Sequence, residues 1–244
     1  MHIHKPTPAR NLREFLSEIS IIVVGILIAI ALEQVVEAVR DHSRVEDARS
    51  NIHAEIANNL GLMERRAQTE PCVSRRLDEV AGLIAEASAG HPAQGPLWIG
   101  HPMVWITADG RYRSGVQSGA VGLMPTREQA VYSSVYAMFA EYTATQRDEE
   151  SAWSDLRTLE LQPAPTAQSA PQLQNALEHA RMARWSLETF LVSALRTSQQ
   201  LNITPGPFAP FKQESVCIPL HTPRDEALKL VVQGRPGHLV YDEP

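Results

Sequence analysis

ISIIVVGILIAIAL, Ile19–Leu32, contains no charged residue and one polar side chain, Ser20. As a helix it rises about 21 Å, short of the ~30 Å hydrocarbon core of a bilayer. With its flanks, Phe15–Val36, it is long enough to cross, and Glu18 and Glu33 then fall near the two interfaces, where snorkelling and local water reduce the cost of charge. The run reads as a single-pass anchor. A cleaved signal peptide competes, because Lys5, Arg10 and Arg13 precede the run and Ala29-Ile30-Ala31 resembles a cleavage site. Against cleavage, no helix breaker follows Ala31. A buried helix of a soluble domain fits the strict length but would leave Ile19–Leu32 without a polar face.

Flanking charge sets the expected orientation. Lys and Arg are slightly more frequent before the span than just after it, which keeps the short N-terminal tail, residues 1–14, in the cytoplasm. The anchor is 15–36, and most of the chain is then extracytoplasmic, in the periplasm of a bacterium, with the span in the inner membrane. The remaining length suits one helical domain, 37–201, followed by an irregular tail, 202–244. Formal charge is −6 over 244 residues, and the first eighteen contribute +1 (three basic, two acidic), which leaves −7 for residues 19–244. That balance disfavours nucleic acid as a partner.

Cys72 and Cys217 are the two cysteines. Outside a reducing compartment an even count suggests a bond, and this one would close a loop of 145 residues; two unpaired buried thiols are the alternative.

From Leu32 to Met63 apolar or small residues recur every three or four positions, including Val45, Ile52, Ile56 and Leu60, so the span continues as an amphipathic helix. Glu37, Asp41, Arg44, Asp47, Asn51 and Glu55 form its expected solvated face. Pro71 interrupts it, and Val73–Ser88 reads as a second helix folded back as an antiparallel hairpin. Ala89–Gly110 is a Pro/Gly-rich loop that nevertheless contains Trp98, Ile99 and Trp105, so it must pack down or carry a contact surface. Trp98, His101 and Trp105 are its candidate contact residues. Arg111–Met124 reads as a short helix in which Gly115 and Gly119 permit a close contact. Thr126 with Gln129 has the spacing of a capping box opening a long helix to about Leu161, and Ser169 with Gln172 opens another to about Gln200. Beyond Asn202 the chain is irregular, with Ser215–Pro219 extended and a short helix after Pro223. The expected fold is all-α: a transmembrane helix continuing into an antiparallel helical bundle.

VVGILIAIALEQVVEA at Val23–Ala38, HAEIANN at His53–Asn59, CVSRRLDEVAGLI at Cys72–Ile84 and YRSGVQSGAVGLMPTREQAVYSSVYAMF at Tyr112–Phe139 resemble an uncharacterised family of bacterial, largely proteobacterial, single-pass membrane proteins. The resemblance implies the topology above and no activity. Tyr112 stands where that family commonly has Trp.

The sequence contains no HxxxH or CxxC pair, and no G-x-S-x-G, Walker or dinucleotide fingerprint. His91 and His101 lie in two Gly-His-Pro tripeptides, read as ordinary loop residues. Glu149-Glu150 and Asp225-Glu226 are expected to be solvated or at helix starts. No catalytic residue, metal ligand or cofactor is therefore assigned. The expected role is a non-enzymatic interaction or scaffold protein of the envelope, acting on other envelope proteins or on copies of itself; a periplasmic ligand-binding sensor bundle is the alternative. Self-association has a candidate face within the span: Glu18, Gly25, Ala29 and Glu33 share one side, and Gly25 with Ala29 forms a small-xxx-small pair that allows close backbone approach in lipid.

Overall fold

The computed structural model describes residues 12–91, 95, 97–161, 165–208 and 214–234. Most of the N-terminal tail, with His2 and His4, lies outside them, as do residues 235–244. The described chain is all-α, with six helices and short 3-10 turns and no strand among the described residues.

α1, Leu12–Gln68, is one unbroken helix. Its N-terminal part is apolar enough to cross a membrane, with an 18-residue window of mean hydropathy 2.7 and no residue of that window buried. Packing begins at Val45, after which Ile52, Ile56, Leu60 and Met63 are fully buried. The same helix is therefore apolar all round in one half and amphipathic in the other.

α2, Glu70–Ser88, follows after Thr69 alone, which keeps a right-handed helical conformation (φ −84°, ψ −6°). Pro71 lies in the first turn of α2, where its missing N–H costs nothing, and its ring ends α1 by clashing with the preceding turn. The expected antiparallel hairpin does not form. One residue in a helical conformation bends a chain without reversing it, and α2 continues in the direction of α1 to pack on α5.

α4, Thr126–Leu156, and α5, Ala170–Ser198, complete a three-rod bundle. α4 runs parallel to α1: Arg49 meets Glu128, His53 meets Tyr132 and Arg66 meets Glu149. α5 runs antiparallel to both, with Leu187, Leu191 and Ala194 beside the α1 core and Leu173, Leu177 and Ala180 beside Val73, Leu77 and Val80 of α2. After Asn202, which adopts a left-handed conformation (φ 57°), the chain turns back until the Gly206 N–H donates to Ala57 O at 2.7 Å. Gly61 permits this approach, since a Cβ there would meet the Phe208 ring and lie 2.5 Å from Gly206 O.

The capping-box expectation at Thr126 is also overturned. Pro125 occupies the cap position without a side-chain bond, and Gln129 instead donates to Met124 O at 2.8 Å. At Ser169 the side chain donates to Thr166 O, within the turn that precedes α5. α3, Gly110–Gln117, is shorter than expected, because Gly119 (φ +79°) ends it and a 3-10 turn at Val121–Leu123 follows. Gly115 is the glycine that serves a close contact, since its Cβ would touch Val121 at 3.0 Å and Ile52 at 3.3 Å.

Cys72 and Cys217 are bonded, with Cα atoms 4.9 Å apart. The segment holding Cys217 is a 3-10 turn, Ser215–Cys217, rather than extended. The short helix expected after Pro223 is present as α6, Arg224–Gly234, with Asp225 and Glu226 in its first turn.

Candidate functional site

The segment 97–109 lies as an extended strap in the groove between the α1–α2 rod and α4. An extended backbone has unpaired N–H and C=O groups that must be satisfied when covered. Here side chains of the helices satisfy them. Gln146, fully buried on α4, accepts from Trp105 N at 2.8 Å and donates to Trp105 O at 2.6 Å. Asn59 of α1 does the same for Ala108, at 2.9 and 2.7 Å. A carboxamide carries one acceptor and a donor group, so each of these side chains imitates a neighbouring β-strand at one residue. Thr143 accepts Thr107 N, and Glu160 accepts Ile99 N and Gly100 N.

Where the strap becomes α3, Glu55 of α1 supplies the cap that Asp109 does not. Its carboxylate accepts Arg111 N at 2.9 Å, Tyr112 N at 3.2 Å and the Tyr136 hydroxyl at 2.6 Å. Negative charge at a helix N-terminus is stabilising, and two otherwise orphaned N–H groups are satisfied. Glu55 is buried, which overturns its reading as part of a solvated face. Tyr112 stacks on Tyr136 with ring centroids 4.3 Å apart, so a phenol fills this aromatic position.

Beside it lies a linked polar group that the sequence reading missed. Tyr132 donates to Glu128 at 2.7 Å, and Arg49 Nε donates to the same carboxylate at 2.7 Å. His53 Nε2 is 2.8 Å from the Tyr132 oxygen. Since the single phenolic proton is directed at Glu128, His53 must carry its proton on Nε2 and donate. Burial pushes Glu128 up, but the bonds from Arg49 and Tyr132 outweigh it and hold the carboxyl below its usual range. Burial lowers His53 and raises Tyr132, whose bond to Glu128 adds to the shift. The phenol therefore stays protonated and the imidazole neutral at pH 7. This is an arrangement for holding α1 to α4, with every proton already committed.

A second polar group sits at the α1–α2 bend. Arg66 donates to Glu149 at 2.6 Å, and both side chains are buried, which corrects the expectation that Glu149 is solvated. Glu70 pairs with Arg66 and with Arg184. Nearby, Arg65 lies over the Trp105 ring at 4.8 Å.

The candidate contact residues of the loop are thus divided. Trp98 is buried, donates Nε1–H to Ser215 O at 2.9 Å and packs with Ile218 and Ala227, so it serves the interior rather than a partner. His101 and Trp105 are half-buried, and His101 Nδ1–H donates to Pro102 O. Arg76, fully buried, donates to Trp98 O, Ile99 O and Ile218 O and so ties the strap to the tail beside the disulfide. Glu18, Gly25, Ala29 and Glu33 are all exposed on α1, and a Cβ on Gly25 would meet nothing within 4 Å. Among the described residues no group of three or more His, Cys, Asp or Glu could hold a metal ion.

Compared with models of protein families, with curated proteins and with solved structures, the chain matches none of them.

Proposed function

We propose that this chain is a bacterial inner-membrane protein, anchored by Phe15–Val36, that carries its bundle in the periplasm and acts by contact with other envelope proteins or with its own copies. It belongs, on this reading, with the uncharacterised single-pass family it resembles. The observation that carries the proposal is α1 itself, whose apolar half is wholly exposed while its other half forms the bundle core. Leaving so much apolar surface in water costs ~25 cal/mol per Å², and a bilayer removes that cost. The disulfide supports an oxidising compartment for the bundle, which agrees with an N-terminus in the cytoplasm. Met182, Trp185 and Val192 are exposed at helical spacing on α5, which favours a contact role over a reaction.

The test has two arms. A periplasm-dependent reporter fused after Pro244 should be active in intact bacteria, and the protein should resist extraction from membranes by alkaline carbonate. A silent fusion overturns the orientation; release into the soluble fraction overturns the anchor.

A further inference from the structure

Between its apolar half and the bundle, α1 turns its apolar side away from the core that it goes on to build. At 100° per residue, Leu32, Val36, Val39 and Ser43 stand about 160°, 200°, 140° and 180° round the helix from Ile52. Gln34 and Asp41 lie within about 20° of Ile52 and Glu37 about 60° from it, so polar residues occupy the bundle side at these levels. Only from Val45 onward does the apolar side coincide with the bundle. Val39 is 66% exposed, and it lies about 4.5 Å beyond Val36, where the proposed span ends. The bundle is on the other side of α1 and leaves the stripe uncovered.

Gly25, Ala29, Leu32, Val36, Val39 and Ser43 are spaced alternately by four and three residues, the heptad spacing that keeps one face of a helix against a parallel helix. Two copies inserted by the same route share direction and height, so a bilayer would hold them parallel and in register before they touch. The flanking charges suit such a pair. One flank has Val35, His42 and Arg49, with no acid among them, and the other has Glu33, Arg40 and Asp47. In a parallel pair the first flank meets the second flank of the other helix, which sets His42 beside Asp47 of the second copy and the stem of Arg40 beside Val35. His42 and Asp47 are both exposed. Glu46 occupies the next position of the stripe, where two like charges would face each other, so the seam ends at Ser43; Arg49 bonds Glu46 and draws it aside.

We infer that this face takes a second copy of the chain: two α1 helices pair in parallel along Gly25, Ala29, Leu32, Val36 and Val39, from the span into the first turn beyond it, with the two bundles on the outer sides. The inference names the partner of the proposed contact role, and it rests on the proposed membrane anchor.

Two differently tagged full-length chains, each with one added cysteine and the native disulfide intact, test it when they are expressed together and oxidised with copper phenanthroline in isolated membranes. Val39→Cys and Ser43→Cys should each give a dimer carrying both tags on non-reducing gels. Glu37→Cys and Ala38→Cys, at the same height on the bundle side, should not. With Val36→Lys and Val39→Lys present, the Ser43→Cys crosslink should be lost while the chain stays in the membrane fraction. Equal crosslinking at all four positions, or none at any, in membrane-bound protein overturns the pairing and leaves the anchor standing. A Ser43→Cys product of another size that carries one tag only overturns the second copy as the occupant. A Ser43→Cys crosslink that survives the two lysines overturns the assignment of the seam to Val36 and Val39. Recovery of the chain in the soluble fraction overturns both the pairing and the anchor.

Discussion

Arg66 on α1 and Glu149 on α4 face each other at 2.6 Å, each with a side chain 4% exposed. Burial pushes Glu149 up, and Arg66 offsets this only in part. Removing one member of such a pair leaves an uncompensated charge, whereas removing both does not. Arg66→Met should lower the unfolding free energy by about 3–5 kcal/mol, and Arg66→Met with Glu149→Leu should recover most of it. A carboxyl raised in the folded state contributes stability that is full below its unfolded pKa and is lost as pH rises through the folded one. The deficit of the single variant should therefore be smaller at about pH 5 than at about pH 8. Urea titration in detergent at both pH values measures this, and equal deficits would contradict it.

Glu55 holds the start of α3 from another helix. Glu55→Ala removes the acceptor for Arg111 N, Tyr112 N and the Tyr136 hydroxyl, with an expected loss of about 2–3 kcal/mol. Glu55→Gln keeps one oxygen and should cost about half as much. Hydrogen exchange should accelerate at the Arg111 and Tyr112 amides specifically. Unchanged exchange there would remove the capping role.

The sequence made the apolar half of the fold legible. The stripe from Val45 to Met63, the long helices opening at Thr126 and Ala170, and the Cys72–Cys217 pairing follow from periodicity and cysteine count, and the structure has each. The direction of α2 was not legible, because Pro71 announces a break without saying whether the chain bends or reverses. The buried polar residues were misread for a related reason. Glu55 and Glu149 occupy core-adjacent positions, as does Asn59, for which the sequence suggested no role, and the burial of all three depends on partners far along the chain. A local signal did exist, since Glu55 and Asn59 immediately precede Ile56 and Leu60 and so border the core stripe. HAEIANN contains both of them together with His53, which explains why this segment stood out as a motif without suggesting chemistry.

The Cys72–Cys217 bond constrains a loop of 145 residues and secures a tail with little core of its own. Cys72→Ser and Cys217→Ser should each cost about 4–5 kcal/mol on the chain-entropy account, and the double variant no more than either single. Exchange protection should fall across 214–234 and be kept at Ile52–Leu60. Non-reducing gels should show a compact monomer that slows on reduction; native free-thiol labelling would contradict the bond.

His53 is lowered by burial, with Glu128 opposing the shift and Arg49 adding to it. A histidine whose folded pKa lies below its unfolded value contributes stability present above the unfolded pKa and lost as pH falls through the folded one. The protein should therefore weaken on acidification from about pH 7 to pH 5.5, and His53→Gln should reduce that slope while keeping a donor for Tyr132. Thermal melts over this interval decide it, and an identical slope in the variant would assign the pH response elsewhere.

Because α1 is unbroken from its apolar half into the core, it fixes azimuth as well as height. Gly25 precedes Ile52 by 27 residues (52 − 25), which is about 7.5 turns at 3.6 residues per turn. Gly25 and Ala29 thus point away from the side of α1 on which the bundle is built, where Ile52 and Ile56 lie. Two spans meeting through Gly25 and Ala29 would turn their bundles outward, back to back across the pair of helices. One alanine inserted between Val36 and Arg40 would rotate that relationship by about 100° and raise the bundle by about 1.5 Å. The helix therefore acts as a keyed shaft, and the spacing between Gly25 and Ile52 sets which face of the bundle lies on the side opposite Gly25 and Ala29.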